Sequence, residues 1–216
     1  MEFRFIDAPA VKAAAIPALF AKSDMEYRSV ETLNWKDRFP YLPATSFALA
    51  WCRDGLMLHW KVTEDDVLAG VGEDLGHIWE DSCVEFFFAP AGDGIYYNFE
   101  CNCIGKLYLG AGPGRADRQL ATPEVLASID RWASLGGSVF PERLERTAWE
   151  TALFIPFTAL YVHDIHSLEG ASCQGNFYKC GGKGEYKHYV SLFPIDTEKP
   201  DFHRPEFFRP LNFCKF

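Results

Sequence analysis

The chain predicts an all-β fold: a two-sheet antiparallel β-sandwich, jelly-roll-like, with one or two short helices. Three observations predict it. Apolar residues recur at every second position in several separate runs, each bounded by turn residues. Only two segments have helical character. Nothing alternates strands with long helices, as parallel βαβ units require.

In chain order, residues 10–21 are alanine-rich and predict a helix that Pro17 interrupts. Phe47, Leu49 and Trp51 then alternate with small residues, and Arg53-Asp54-Gly55 turns the chain. Leu56, Leu58, Trp60 and Val62 alternate with Met57, His59, Lys61 and Thr63, completing a hairpin. Strands follow over residues 82–89 and 96–105, divided by the turn Ala89-Pro90-Ala91-Gly92-Asp93-Gly94. Thr122-Pro123-Glu124 opens a second short helix, with Thr122 as its cap and Pro123 at its first position. Residues 149–156, 175–180 and 188–193 are further strands. With no internal repeat and no low-complexity linker, residues 1–216 form one domain.

At 216 residues and 48% hydrophobic, the chain can bury one sizeable core. Its formal net charge is -9 and no basic run interrupts the acidic balance, which argues against nucleic acid and anionic membranes as partners. Nothing approaches the ~20 apolar residues of a membrane span. Residues 8–21 lack the unbroken apolar run of an export signal, so the expected location is cytoplasmic, unless such a signal has been removed. Seven cysteines at irregular spacing read as reduced and mostly buried. There is no Cys-x-x-Cys pair to support zinc.

The chemistry concentrates in two neighbouring segments. Trp79-Glu80-Asp81 leads into Ser82-Cys83-Val84-Glu85-Phe86-Phe87-Phe88, and Tyr96-Tyr97-Asn98-Phe99-Glu100-Cys101-Asn102-Cys103 follows. Strand side chains alternate between faces, so Asn98, Glu100 and Asn102 share one face while Tyr97, Phe99, Cys101 and Cys103 share the other. Such a strand packs on a core behind and holds a polar ligand in front. With an aromatic plate at its edge it suits a sugar, whose C–H groups lie on a ring and whose hydroxyls bond carboxylates and amides.

These segments resemble the family 9 carbohydrate-binding modules and their bacterial family-9-like relatives, within the wider group of DOMON-type β-sandwiches. Trp79 to Phe87 is similar to the family's Trp-Glu-x-Asp-Ser-Val-Glu pattern. Tyr97 to Asn102, Gly175-Asn176-Phe177-Tyr178-Lys179-Cys180 and Asp201-Phe202-His203-Arg204-Pro205-Glu206-Phe207-Phe208 follow in the expected order, spanning roughly residues 35 to 213. The resemblance implies a slot for a mono- or disaccharide between two aromatic rings, without catalysis. It casts Trp79 as one wall, Glu85 as a hydroxyl-binding carboxylate, Asn102 as part of a polar floor and Phe202 as the opposite wall. Two residues depart from the pattern: Glu100 stands where an arginine is usual, and Phe202 where a tryptophan is.

Each candidate has a plainer alternative. Trp79 is either an exposed plate or a core indole. Glu85, between Val84 and Phe86, faces a ligand or an internal salt bridge, with Lys179 as one partner for it. Asn98, Glu100 and Asn102 form a binding face or a solvated one. Lys179 is also a candidate for sugar hydroxyls. Phe202 and His203 occupy a proline-bounded loop, where exposed aromatics tend to serve function. No cofactor is expected; structural calcium at Asp65 and Asp66 is the one option considered. Haem is disfavoured because Met57 and His59 share a strand face and cannot take opposite sides of its ring. The competing activity is glycoside hydrolysis with Glu85 and Glu100 as the acid pair.

Overall fold

In the computed structural model, which describes residues 1–8 and 10–214, the alternating runs become strands of facing sheets. Among the described residues one sheet has nine strands. Along its main path run β1 (Glu2–Phe3), β16 (Arg209–Phe213), β14 (Ser172–Gly181), β7 (Ser82–Ala89), β8 (Tyr96–Asn102), β9 (Leu107–Gly112) and β10 (Gln119–Leu120). β15 (His188–Ser191) branches from β14 and pairs with β3 (Thr32–Leu33). The second sheet orders β11 (Asp130–Ala133), β13 (Thr147–Pro156), β5 (Gly55–Glu64), β4 (Ala44–Trp51) and β2 (Arg28–Ser29). A small third pair joins β6 (Val67–Ala69) to β12 (Phe140–Arg143). β1 and β16 pair in parallel, whereas the central ladders are antiparallel.

The main core lies between the two large sheets. The predicted apolar face of the β4–β5 hairpin supplies Phe47, Leu49, Trp51, Leu56, Leu58, Trp60 and Val62. Val84, Phe86, Phe88, Tyr97, Phe99, Cys101 and Phe177 meet them from the other sheet. The sheets are joined by aromatic stacking: Phe177 lies 3.7 Å from Phe47 and 4.6 Å from Phe86, with rings within 15° of parallel.

Both sheets are also covered outside. α1 (Ile16–Lys22), preceded by a 3-10 turn at Ala13–Ala15, presses Ile16 and Phe20 onto Ala48, Ala50, Met57 and Ala152. The small residues of β4 thus leave room for a helix. Pro17 lies in the first turn of α1, where no backbone N–H is needed, so it starts the helix rather than interrupting it. α2 (Pro123–Ser128) has the predicted cap, with Val125 N–H donating to Thr122 Oγ1. On the nine-stranded sheet, Phe87, Tyr96 and Tyr178 carry an outer layer of Trp35, Ile195, Phe202 and Phe208. β7 is therefore buried on both faces, which explains its unbroken Phe86-Phe87-Phe88 run.

Several strand boundaries differ from expectation: the strands expected over 149–156 and 175–180 run over Thr147–Pro156 and Ser172–Gly181. The strand expected over 96–105 ends at Asn102, turns through Gly105 at φ +79° and resumes as β9. The strand expected over 188–193 ends at Ser191. There Asn176 Oδ1 accepts the Phe193 N–H and Ser191 Oγ donates to the Phe193 carbonyl, replacing the ladder.

Candidate functional site

The outer face of β7, β8 and β9 opens at one place into a cavity of about 490 Å³. Its floor is a single rung of the sheet. Glu85 of β7 lies opposite Glu100 of β8, which lies opposite Tyr108 of β9. Period two puts Asn98 on the face of Glu100, as the sequence predicts, so the floor collects two carboxyls and an amide. The walls come from loops. Trp79 stands on a 3-10 turn at Ile78–Glu80, Phe39 on the loop after Trp35, and Phe202 and His203 on the segment before β16.

The Trp79 indole is 38% exposed. It stacks on His77 at 4.8 Å and meets the Tyr108 ring edge-on at 5.7 Å. That is the exposed-plate alternative, not the core one. Phe202 lines the same cavity but is buried, stacked at 4.2 Å on Tyr178. It is a packed wall rather than the free loop aromatic expected. His203 bonds the Tyr96 hydroxyl through Nδ1 at 2.7 Å. Burial, with Arg118 and Arg115 nearby, pushes its pKa down to about 3, so the ring is neutral.

Sequence reasoning missed Arg118, which organises the floor. Its guanidinium donates to Asn98 Oδ1 at 2.6 Å, and to the carbonyls of Gly114, Gly110, Tyr96 and Gly112. Asn98 in turn donates to Glu100 Oε1 at 2.7 Å. A Cβ at Gly110 would stand 3.2 Å from both Arg118 Nε and Asn98 Oδ1, so glycine there lets the arginine cross β9. The Gly110-x-Gly112 spacing before Arg118 was the available signal, but it gains meaning only when β9 lies beside β8.

Both floor carboxyls titrate high. Burial pushes Glu100 up to about 7. Glu85 rises well above the carboxylate range, chiefly through burial, with Glu100 beside it adding to the rise. The Cys180 thiol donates to Glu85 Oε1 at 3.1 Å. Glu100 Oε2 and Arg118 Nε have no partner, although both side chains line the cavity. Each such buried group costs about 1–3 kcal/mol, recoverable by a ligand carrying donors and acceptors.

Two predicted site residues lie elsewhere. Lys179 pairs with Val84 in the ladder, so its side chain enters the sandwich interior, the face opposite Glu85. There its Nζ is 2.8 Å from Glu64 Oε2, 2.7 Å from His188 Nε2, and fully buried. It neither reaches the cavity nor pairs with Glu85. Asn102 shares the face of Glu100 but sits beyond the cavity, where all its polar atoms are used. Its Nδ2 donates to the Val71 carbonyl and to Asp81 Oδ2, and its Oδ1 accepts the Lys106 N–H. Asp81 also accepts from the Gly70 and Val71 N–H groups. Within the Trp79-Glu80-Asp81 motif, therefore, the acid ties down a loop and the indole faces the cavity.

Among the described residues, Cys83, Glu85 and Cys180 offer ligand atoms within 4.8 Å of one another and could hold a metal. Two thiols suit a soft ion, not calcium, which takes an all-oxygen shell. Asp66 accepts the Tyr186 N–H, and Asp65 accepts a weak bond from the Tyr41 hydroxyl.

Fold and cavity together describe a β-sandwich domain with a polar cavity, walled by aromatic rings, on the outer face of one sheet. The chain belongs to carbohydrate-binding family 9, whose model matches residues 14–213. It is similar to a protein of Bacteroides uniformis ATCC 8492, provisionally described as carbohydrate-binding, at 41% identity and TM-score 0.95; the match covers 99% of this chain and 98% of that one. A family 9 module from Caldicellulosiruptor kristjanssonii in complex with glucose has TM-score 0.63 at 9% identity, covering 100% and 97% of the two chains. The cellotriose complex of such a module from that organism has TM-score 0.62 at 9% identity, covering 100% and 95%. These two share the fold. No curated protein matches the chain.

Proposed function

We propose that the chain binds a mono- or oligosaccharide in this cavity without cleaving it. The observation that carries the reading is the exposed Trp79 indole beside a floor whose Glu85, Asn98, Glu100 and Arg118 are directed to one space. Ring C–H groups of a sugar gain roughly 25 cal/mol per Å² of apolar surface covered by the indole. Hydroxyls, which donate and accept, match a floor of carboxyl, amide and guanidinium groups. The fold relatives seen with glucose and cellotriose support a sugar ligand. At about 490 Å³ the cavity has the size of an ordinary small-ligand site.

Glu85 and Glu100 do not suit hydrolysis. The acid pair of a glycosidase flanks the bond it breaks, whereas these two are neighbours on one rung of one floor. Titration with neutral mono- and disaccharides, followed by calorimetry and indole fluorescence, tests the proposal. Affinities in the tens of micromolar, about 6 kcal/mol, are expected. Trp79→Ala should weaken binding ~10-fold or more. Unchanged binding in that variant removes the wall, and sugar release by the wild type removes the non-catalytic assignment.

A further inference from the structure

The cavity carries a charge opposite to that of the protein. The chain is net -9, yet Arg38, Arg115, Arg118 and Lys199 all line this one space. Arg115 is paired at 2.8 Å with Asp201, the sole other acid at the rim. Arg38 lies over the Phe39 ring at 5.4 Å, which leaves its charge in place. Arg118 is the telling residue. Its five hydrogen bonds go to four carbonyls and one amide, all neutral, and among the described residues it has no carboxylate within ion-pairing distance. A half-buried guanidinium is normally paired with an anion, because neutral dipoles compensate its lost hydration only in part.

The two acids nearest to it do not cancel this charge. Glu85 and Glu100 sit side by side in a buried floor, where both carboxylates cannot be ionised without strong mutual repulsion. Burial accordingly holds both well above the usual carboxylate range. A protonated carboxyl then donates a hydrogen bond, whereas a carboxylate only accepts. The cavity so offers cations along its wall and rim and, below about pH 7, protonated carboxyls beneath.

Resting on the sugar-binding reading above, we infer that the preferred ligand is an anionic saccharide, a sugar carrying a carboxylate or sulfate group that meets Arg118 and the basic rim while its ring lies on Trp79. Charge-assisted hydrogen bonds of this kind contribute about twice what neutral ones do, and the Arg118 Nε–H, which has no partner in the protein, is the donor left for one.

The test compares D-glucuronate, glucose 6-sulfate and D-glucose as probes on the full chain, by calorimetry at low and at ~0.3 M salt. At least one anionic sugar should bind ~10-fold tighter than glucose at low salt, with the advantage shrinking as salt screens the rim. A glucuronate preference identifies the anion as carboxylate, and a 6-sulfate preference identifies it as sulfate; either supports the inference. The exposed-rim double variant Arg38→Gln/Lys199→Gln should fold as the wild type does and reduce the anionic-to-neutral affinity ratio ~3-fold or more. Equal affinity for all three sugars, or tighter binding of glucose, overturns the anionic preference and leaves sugar binding standing. Absence of binding by all three and by neutral disaccharides overturns both.

Discussion

Strands β7, β8 and β14 carry buried charged groups on both faces, and the two faces treat them in opposite ways. Inside the sandwich, Glu64 is held by Lys179 at 2.8 Å and by the Trp149 indole N–H at 2.7 Å. His188 stays neutral there: burial and the Lys179 charge push its pKa well down, Nδ1 faces the Tyr186 carbonyl, and Nε2 is left to accept from Lys179. Outside, Glu85 and Glu100 are as deeply buried, yet a thiol and an amide are their closest side-chain partners, and Arg118 spends its donors on neutral acceptors. A buried acid with its own cation maintains structure. A buried acid and a cation kept apart around an open space form a place for something else. That contrast, not the number of acids, separates the site from the core.

The largest expected effect breaks the paired side. Lys179→Met leaves Glu64 buried without its cation, which should cost about 3–5 kcal/mol in denaturant unfolding. Adding Glu64→Gln should restore much of that loss. A single variant that loses less than about 1 kcal/mol would falsify the ion pair as described.

The unpaired side should respond with the reverse sign. Folding raises the Glu100 pKa from 4.5 to about 7. Between those values the folded chain holds a proton that the unfolded chain has released, so stability falls as pH rises. The contribution is full below about pH 4.5 and is lost as pH passes through 7. Glu100→Gln cannot ionise. It should match the wild type near pH 4.5 and be more stable by about 2–3 kcal/mol near pH 8, which a pair of thermal or urea melts reads directly. A variant destabilised at both pH values would mean that the carboxylate already has a cation.

Much of this was legible in the sequence, for a physical reason. Alternation exposes which residues share a face, so Asn98, Glu100 and Asn102 could be placed on one face before any strand was paired, and the resemblance added Glu85. The indole ahead of two acids and the late Phe202-His203 segment also reach the cavity. What alternation cannot give is which face of a strand buried on both sides is the open one. Lys179 belonged to the right strand and the wrong face, and only the Tyr178–Glu85 register separates it from the floor. Arg118 was invisible because it arrives from the far end of β9 across Gly110, a contact made by sheet order rather than by spacing. The short edge strands β1, β2 and β3 carry two residues each, too few for a period to show.

The smallest expected effect separates two amides on one face of β8. Asn98 and Asn102 are both buried and four residues apart, so they look equivalent in the sequence. Asn98 joins Arg118 to Glu100, whereas Asn102 ties residues 70–71 and Lys106 to Asp81. Asn102→Ala removes a donor pair and an acceptor that serve a loop, so unfolding should cost about 1–2 kcal/mol less than in the wild type. Its sugar affinity should stay within ~2-fold, because none of the lost bonds faces the cavity. Asn98→Ala should lose affinity instead, since Arg118 and Glu100 both lose the group that aligns them. Equal losses of affinity in the two variants would show that the floor extends along the whole strand, and the boundary drawn here between tether and site would have to move to Lys106.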